Sequence, residues 1–162
     1  MHLKIPFWQV AKLFNGQVLE YTIRHDFDLT HKEALGDQPL NIVTSDNNVL
    51  VVEGSILFHI DKNNAPLLWE NVGDDFVSKV IRPVARSRIR IVLAEATSTE
   101  IRNNRTSIEI KIKEELDKMY MEKGLICDGV LLSEIKFIGD HAGESEKPII
   151  KTDTEVFSQE KT

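Results

Sequence analysis

The feature that most limits the fold of this chain is the run from Val49 to Ile60. It carries apolar and β-branched side chains on both faces, which is typical of a strand at the centre of a sheet or covered on both sides. The turn signal Asp46-Asn47-Asn48 precedes it, and Pro39–Ser45 is a second candidate strand before the turn. The sequence therefore predicts a hairpin with Val49–Ile60 as its long arm.

A second hairpin is predicted closer to the N-terminus. The dipeptide Asn15-Gly16 readily takes the positive φ values of a tight turn, and it lies between the candidate strands Val10–Phe14 and Gln17–Arg24. A polar loop, roughly Asp28–Gln38, separates this hairpin from the next one.

After Ile60 the hydrophobic period changes to that of helices. Ala65–Val72 predicts a short helix, and Asp74 is a suitable N-cap for a second helix from about Asp75 to Ala94. Pro83 lies inside that helix and should kink or restart it. The predicted apolar face comprises Val77, Val80, Ile81, Val84, Ile91 and Val92.

A third helix is predicted from the capping box Thr97-Ser98-Thr99-Glu100 to about Lys123, with Gly124 ending it. Its predicted buried stripe is Ile101, Ile108, Ile112, Leu116 and Met119. A last strand follows, with Leu125, Cys127, Leu131, Ile135 and Phe137 on one face. These elements predict an α+β domain over residues 1–138, an antiparallel β-meander packed against two to three helices with a final C-terminal strand. Residues 139–162 are polar without a clear period, which predicts a flexible tail.

Composition excludes several classes of protein. The net charge of −6 argues against a general nucleic-acid binder, because neutralising phosphates requires surplus Lys and Arg. Cys127 is the single cysteine, so the chain forms no internal disulfide. No apolar run approaches the roughly 18–20 residues that span a bilayer. We therefore expect this chain by itself to be soluble, with any membrane anchor outside it.

Recognisable catalytic motifs are missing from the sequence, so no catalytic residue, cofactor or metal is predicted. His25, Asp28 and His31 form the most metal-like cluster, and a metalloenzyme using them is one alternative. They lie where a strand ends and a loop begins, which favours a solvated strand terminus. Cys127 falls on the apolar face of the last strand, which favours a buried structural thiol over a nucleophile.

Basic residues share one face of the second predicted helix. They interleave with two aliphatic residues, which predicts contact with a neighbouring subunit or partner, or with acidic lipid headgroups, rather than a purely solvated face. The predicted contact set is Lys79, Arg82, Arg86, Arg90, Ile89 and Leu93.

Two further arginines, Arg88 and Arg105, fall in the apolar stripes of their helices. A buried guanidinium is costly unless it is paired, and Glu95 and Glu115 lie near the same stripes. The pattern predicts structural ion pairs that fix how the two helices meet.

Close to the N-terminus, Ile5, Pro6, Phe7 and Trp8 combine a proline with two large aromatic side chains. Aromatic residues of this kind lie at bilayer interfaces or in ordinary cores, and we interpret the segment as membrane-facing.

The central hairpin resembles that of the SPFH domain, the superfamily of stomatin, prohibitin and flotillin. That pattern is a strand, then Thr-x-Asp, then a long strand closing on an aromatic residue, any residue, Ile and Asp. The matching residues are Thr44, Asp46, Phe58, Ile60 and Asp61.

Four other segments resemble the same family in the same order. His2–Trp8 is similar to the Ile-Pro-Phe segment, and Val80–Arg90 to an apolar-x-Pro step with an Arg-rich turn. Ile101 and Arg105 match the next helix, and Gly124–Phe137 resembles the Gly-Ile strand that ends in Ile-x-Phe. Together these segments cover most of residues 2–138.

The resemblance implies a non-enzymatic, membrane-associated scaffold that assembles with itself and organises membrane microdomains. In bacteria and mitochondria such proteins also regulate a membrane-bound AAA protease. The chain begins at the Ile-Pro-Phe segment, and a polar tail stands where the family usually continues into a long helical coil. We therefore expect the family's anchor and first strand to be missing, and a soluble protein-binding adaptor is the alternative.

Overall fold

The computed structural model describes residues 16–26 and 35–138, which form one mainly antiparallel sheet covered on one face by helices. The strands are β1 (Leu19–Ile23), β2 (Gly36–Asp37), β3 (Leu40–Val43), β4 (Val49–Ile60) and β5 (Leu125–Ile138). The helices are α1 (Ala65–Asn71), α2 (Arg82–Glu95), α3 (Ser98–Asn103) and α4 (Arg105–Met121), and a π-helical turn (Val77–Ile81) precedes α2. The predicted α+β class is confirmed.

Strand β4 is the centre of the sheet, as its two apolar faces predicted. Strand β5 pairs with it along its whole length on one side, and β3 and β1 share the other side. The hairpin of β3 and β4 is confirmed, and β1 pairs antiparallel with the more distant β4. The short β2 runs parallel to β1. Val10–Phe14, the predicted partner in the first hairpin, lies outside the described residues.

Alternate residues of β4 point into the core. Leu50, Val52, Ile56, Phe58 and Ile60 are all buried beneath the helices. The opposite face of the sheet carries the odd-numbered side chains of β4 and is at least partly open to solvent. The helices therefore cover one face of the sheet only.

The second predicted helix differs from expectation in its phase. A π-helical turn comes first, and α2 begins at Arg82 with Pro83 in its first turn, so the proline restarts the helix. Because a π turn holds more residues than an α turn, a wheel drawn across it loses register. Ile91 is consequently exposed, and the N-cap position is held by Phe76 rather than by Asp74.

The third predicted helix is divided at Asn104, which ends α3 and precedes α4. The capping box of Thr97 and Glu100 forms as predicted. Tyr120, and not the half-buried Met119, completes the buried stripe, and its hydroxyl donates to the Ile81 carbonyl oxygen at 3.2 Å.

Strand β5 breaks strict alternation twice. Its register with β4 skips one residue at Asp128 and another at Ser133, so Val130 and Leu132 are buried. Leu131, predicted to face the core, is therefore 54% exposed. A regular period of two could not anticipate these bulges.

Helix α4 protects the edge of β5 that does not pair with β4. The backbone N–H groups of Cys127 and Leu132 donate to the carboxylates of Asp117 (3.0 Å) and Glu109 (2.8 Å) on α4. Carboxylates used in this way satisfy strand donors that would otherwise be available to another chain.

Candidate interaction surface

Four basic residues, Lys79, Arg82, Arg86 and Arg90, lie along the π-helical turn and α2; we call them the basic face. The three arginines are four residues apart, so they share one side of the helix. Ile89 and Leu93 were predicted to belong to the same surface, but they are 2% and 0% exposed and pack in the core. The restarted helix turns them toward the sheet, and the predicted contact set is corrected to the four basic residues.

Two arginines of the basic face hold strand β2 against α2. Arg86 Nη1 lies 2.9 Å from Asp37 Oδ2, and Arg82 Nε lies 3.6 Å from the same oxygen. Arg82 also donates to the Gly36 carbonyl oxygen at 3.0 Å, and Arg86 to that of Gln38 at 3.1 Å. These bonds to one carboxylate and two carbonyls fix the position of a two-residue strand on the helix.

Tyr21 of β1 lies beside this carboxylate. Its hydroxyl donates a long hydrogen bond (3.4 Å) to Asp37 Oδ2. Burial, followed by the negative charge of Asp37, raises the pKa of Tyr21 to about 12, so Tyr21 remains neutral near pH 7. The sequence alone did not single out Tyr21 or Asp37. Asp37 stands in a polar loop that is far along the chain from both arginines.

The remaining members of the basic face have different environments. Lys79 Nζ donates to the Val72 carbonyl oxygen at 2.8 Å and so closes the connection from α1 to the π-helical turn. Arg90 is exposed on α2. Asp37 therefore balances only part of the charge of this surface, and Arg90 is the member most open to a partner.

A second polar cluster joins the β3–β4 turn to the start of α3. The Asp46 carboxylate accepts the Thr44 hydroxyl (2.5 Å), the Asn48 side-chain amide (3.0 Å), and both the backbone N–H (3.1 Å) and the hydroxyl (3.0 Å) of Ser98. The hydroxyl of Thr44, followed by the donors of Ser98, lowers the pKa of Asp46 to about 2. Thr44 and Asp46 are the Thr-x-Asp residues of the sequence pattern, and their role here is to position two elements.

The ion pairs of the helices differ in part from the expected set. Arg88 Nη1 lies 3.8 Å from Glu115 Oε2, which links α2 to α4. Arg105 is exposed rather than in the apolar stripe, and its nearest carboxylate is Glu109 on the same helix at 3.6 Å. Glu95 pairs with Lys111 at 3.0 Å.

The sequence offers several candidate residues for catalysis, metal binding or membrane contact. Cys127 is buried, and burial raises the pKa of its thiol to about 12, so it stays protonated in the core. His25 is exposed after β1, and its backbone N–H donates to Glu53 at 3.1 Å. Asp28 and His31 lie outside the described residues, as do Ile5, Pro6, Phe7 and Trp8. Residues 16–26 and 35–138 contain no group of three or more His, Cys, Asp or Glu that could hold a metal ion.

Comparison with known proteins identifies a family. A family model described as SPFH domain / Band 7 family matches residues 1–149. No curated protein matches the chain significantly. In the part of the chain that the structure describes, no helix is long and apolar enough to cross a bilayer.

Proposed function

Because this chain belongs to the SPFH domain / Band 7 family, we propose that it is the scaffold domain of a membrane-bound assembly that organises a membrane microdomain and regulates an AAA protease. Proteins of this family are scaffolds of the stomatin and prohibitin type, generally without enzymatic activity. They generally oligomerise and associate with membranes. The match over residues 1–149 is the observation that carries the proposal.

The polar clusters of the described residues support a scaffold role. Asp37 joins β2 to α2, and Asp46 joins the β3–β4 turn to α3. In each cluster the charged groups bond to another element of the same domain. Such bonds stiffen the domain, and a rigid unit loses little conformational entropy when it packs against copies of itself.

The exposed part of the basic face is the proposed contact with a neighbouring copy, and Arg90 is its principal residue. The chain is acidic overall, with a net charge of −6, so four clustered cations attract the surface of another copy. A contact between two different surfaces of the same chain is heterologous, and repeating it closes a ring.

The proposed membrane-facing segment is Ile5, Pro6, Phe7 and Trp8. Aromatic rings favour the headgroup level of a bilayer. Gly16, where the described residues begin, lies against the side chain of Lys62, which follows β4. The described residues therefore begin at the end of the sheet where β4 finishes.

Flotation with vesicles of neutral and anionic phospholipid tests membrane binding. The chain should float, and Phe7→Ser/Trp8→Ser should reduce the floating fraction several-fold. Leu67→Ser/Met121→Ser, which removes two exposed apolar side chains elsewhere, is the matched control and should float like the unaltered chain. Equal flotation of all three would contradict the role of the segment. Failure of the unaltered chain to float would favour the soluble adaptor instead.

A further inference from the structure

An exposed row of aliphatic side chains crosses the open face of the sheet at one end. Val43, Val49 and Ile138 are direct neighbours on β3, β4 and β5. They are 52%, 36% and 60% exposed. We call these three residues the apolar row. A solvated face of an antiparallel sheet normally carries polar side chains, so three adjacent exposed aliphatic residues make this end of the face a candidate docking surface.

We propose that the chain's own segment Lys147–Lys151, with the sequence Lys-Pro-Ile-Ile-Lys, docks on the apolar row. Ile149 and Ile150 supply aliphatic side chains, and a lysine stands on either side of the Pro-Ile-Ile core. This inference concerns contacts within one chain and is independent of the proposed membrane role.

The described part of the chain ends within the row itself. Ile138 is the last residue of β5 and a member of the row, and Ile149 follows it by eleven residues. Eleven residues reach at most about 36 Å when fully extended. The row is two strand spacings wide, about 10 Å, so the segment reaches every part of it without strain. The family match continues to residue 149, beyond the end of β5.

The charges next to the row favour the same segment. Glu53 and Glu134 lie directly opposite each other on the same face, and Glu53 is four residues along β4 from Val49. Lys136 stands between Glu134 and the row on β5. Like charges in such a position repel, and Lys136 forms its ion pair with Glu134, at 3.0 Å. Lys147 and Lys151 stand on either side of the Pro-Ile-Ile core and bring positive charge to this surface.

Two other occupants fit less well. The three partly exposed side chains offer on the order of 300 Å² of surface. A stable dimer buries roughly 800 Å² per partner, so this row is too small to hold a second copy of the chain. A tethered segment needs less area, because its effective concentration is high. The N-terminal residues join at Gly16 beside Lys62, about 40 Å away at the other end of β4.

Disulfide cross-linking in the full chain tests the proposal. The test variant carries Val43→Cys and Ile149→Cys, and the matched control carries Ser45→Cys and Ile149→Cys. Ser45 is exposed in the adjoining turn, two residues from Val43 and outside the row. Cys127 is buried and remains in both. Docking should make the monomeric disulfide form about tenfold faster in the test variant than in the control.

Adding Val49→Ser to the test variant removes the central side chain of the apolar row. The rate of disulfide formation should then fall toward that of the control. Equal rates for test variant and control would overturn the proposal, as would disulfide-linked dimers as the main product, which would indicate a second copy on the row. Val49→Cys with Ile150→Cys provides an independent pair if Val43→Cys weakens the β3–β4 hairpin.

Discussion

Asp46 in the β3–β4 turn accepts hydrogen bonds from both the backbone N–H and the hydroxyl of Ser98, the first residue of α3. This relationship joins the sheet to the helical layer at the end where β4 begins. The backbone N–H of Ser45 strengthens it by donating to the Ala96 carbonyl oxygen at 3.1 Å. The Thr-x-Asp motif therefore has a structural role that the described residues explain.

The Asp46 carboxylate should make stability depend on pH in an acidic window. Its folded pKa of about 2 is below the ordinary value of 3.8, so its contribution is complete above about pH 4 and is lost as the pH falls toward 2. Asp46→Asn should therefore lower the free energy of unfolding at neutral pH, and the deficit should shrink in acid. Urea unfolding across this range measures it, with Glu114→Gln on α4 as the exposed control. A deficit that does not change with pH would contradict the assignment.

The Asp37 carboxylate should control the attachment of β2. The backbone N–H groups of Thr22 and Arg24 donate to the carbonyl oxygens of Leu35 and Asp37, at 2.9 and 3.1 Å. Asp37→Asn removes the charge that Arg86 binds, so these two amides should exchange with deuterium about tenfold faster.

Hydrogen exchange followed by NMR gives this result residue by residue. The amide of Cys127 on β5, on the other side of β4 from β1 and β2, donates to Asp117 at 3.0 Å; it is the internal control and should keep its rate. Unchanged exchange at Thr22 and Arg24 would show that β2 holds its position without the ion pair.

Gly54 should tolerate no side chain. A Cβ there would collide with the Leu131 carbonyl oxygen and approach Leu132 Cα to 3.2 Å, because the bulge in β5 brings the two backbones together. Gly54→Ala should lower the free energy of unfolding by about 1–3 kcal/mol. Gly129→Ala on the same strand pair is the control, since its Cβ would meet only Leu57 Cδ1 at 4.0 Å. Thermal unfolding of both variants measures the two losses of stability. Equal losses for Gly54→Ala and Gly129→Ala would contradict the close approach of the β4 and β5 backbones at Gly54.

The chain has two tyrosines, Tyr21 and Tyr120, and burial raises the pKa of both. The folded protein should therefore show little tyrosinate absorbance at pH 10, whereas the urea-unfolded chain titrates near that value. Since the neutral form is favoured by folding, this contribution to stability is complete below about pH 10 and is lost as the pH rises further. Substantial ionisation of the folded chain at pH 10 would contradict the burial of these rings.

Local sequence patterns predicted most of the helices and strands. They did not predict the contacts between residues that are far apart in the sequence. The β4 strand and the Thr97 capping box follow from neighbouring residues, so the sequence contains what is needed to recognise them. The pairing of Asp37 with Arg86 depends on where a polar loop returns to α2, which no periodicity encodes. The same reasoning applies to Ser98, whose role depends on a turn formed much earlier in the chain.

Errors in phase had a different origin. The π-helical turn before α2 and the two bulges of β5 each insert a residue that an ideal period does not contain. This moved Ile89 and Leu93 from the predicted surface into the core, and Leu131 from the predicted core to the surface. Sequence patterns identify the faces of an element only as long as its geometry stays regular.

Chemical cross-linking of the chain on vesicles tests the central claim most directly, namely that this domain assembles with copies of itself on a membrane. The unaltered chain should give a ladder of oligomers on vesicles. Arg90→Glu on the basic face should give mainly monomers, and Lys62→Glu, an exposed lysine outside it, should keep the ladder. A vesicle-bound chain that stays monomeric at every protein density would contradict the claim.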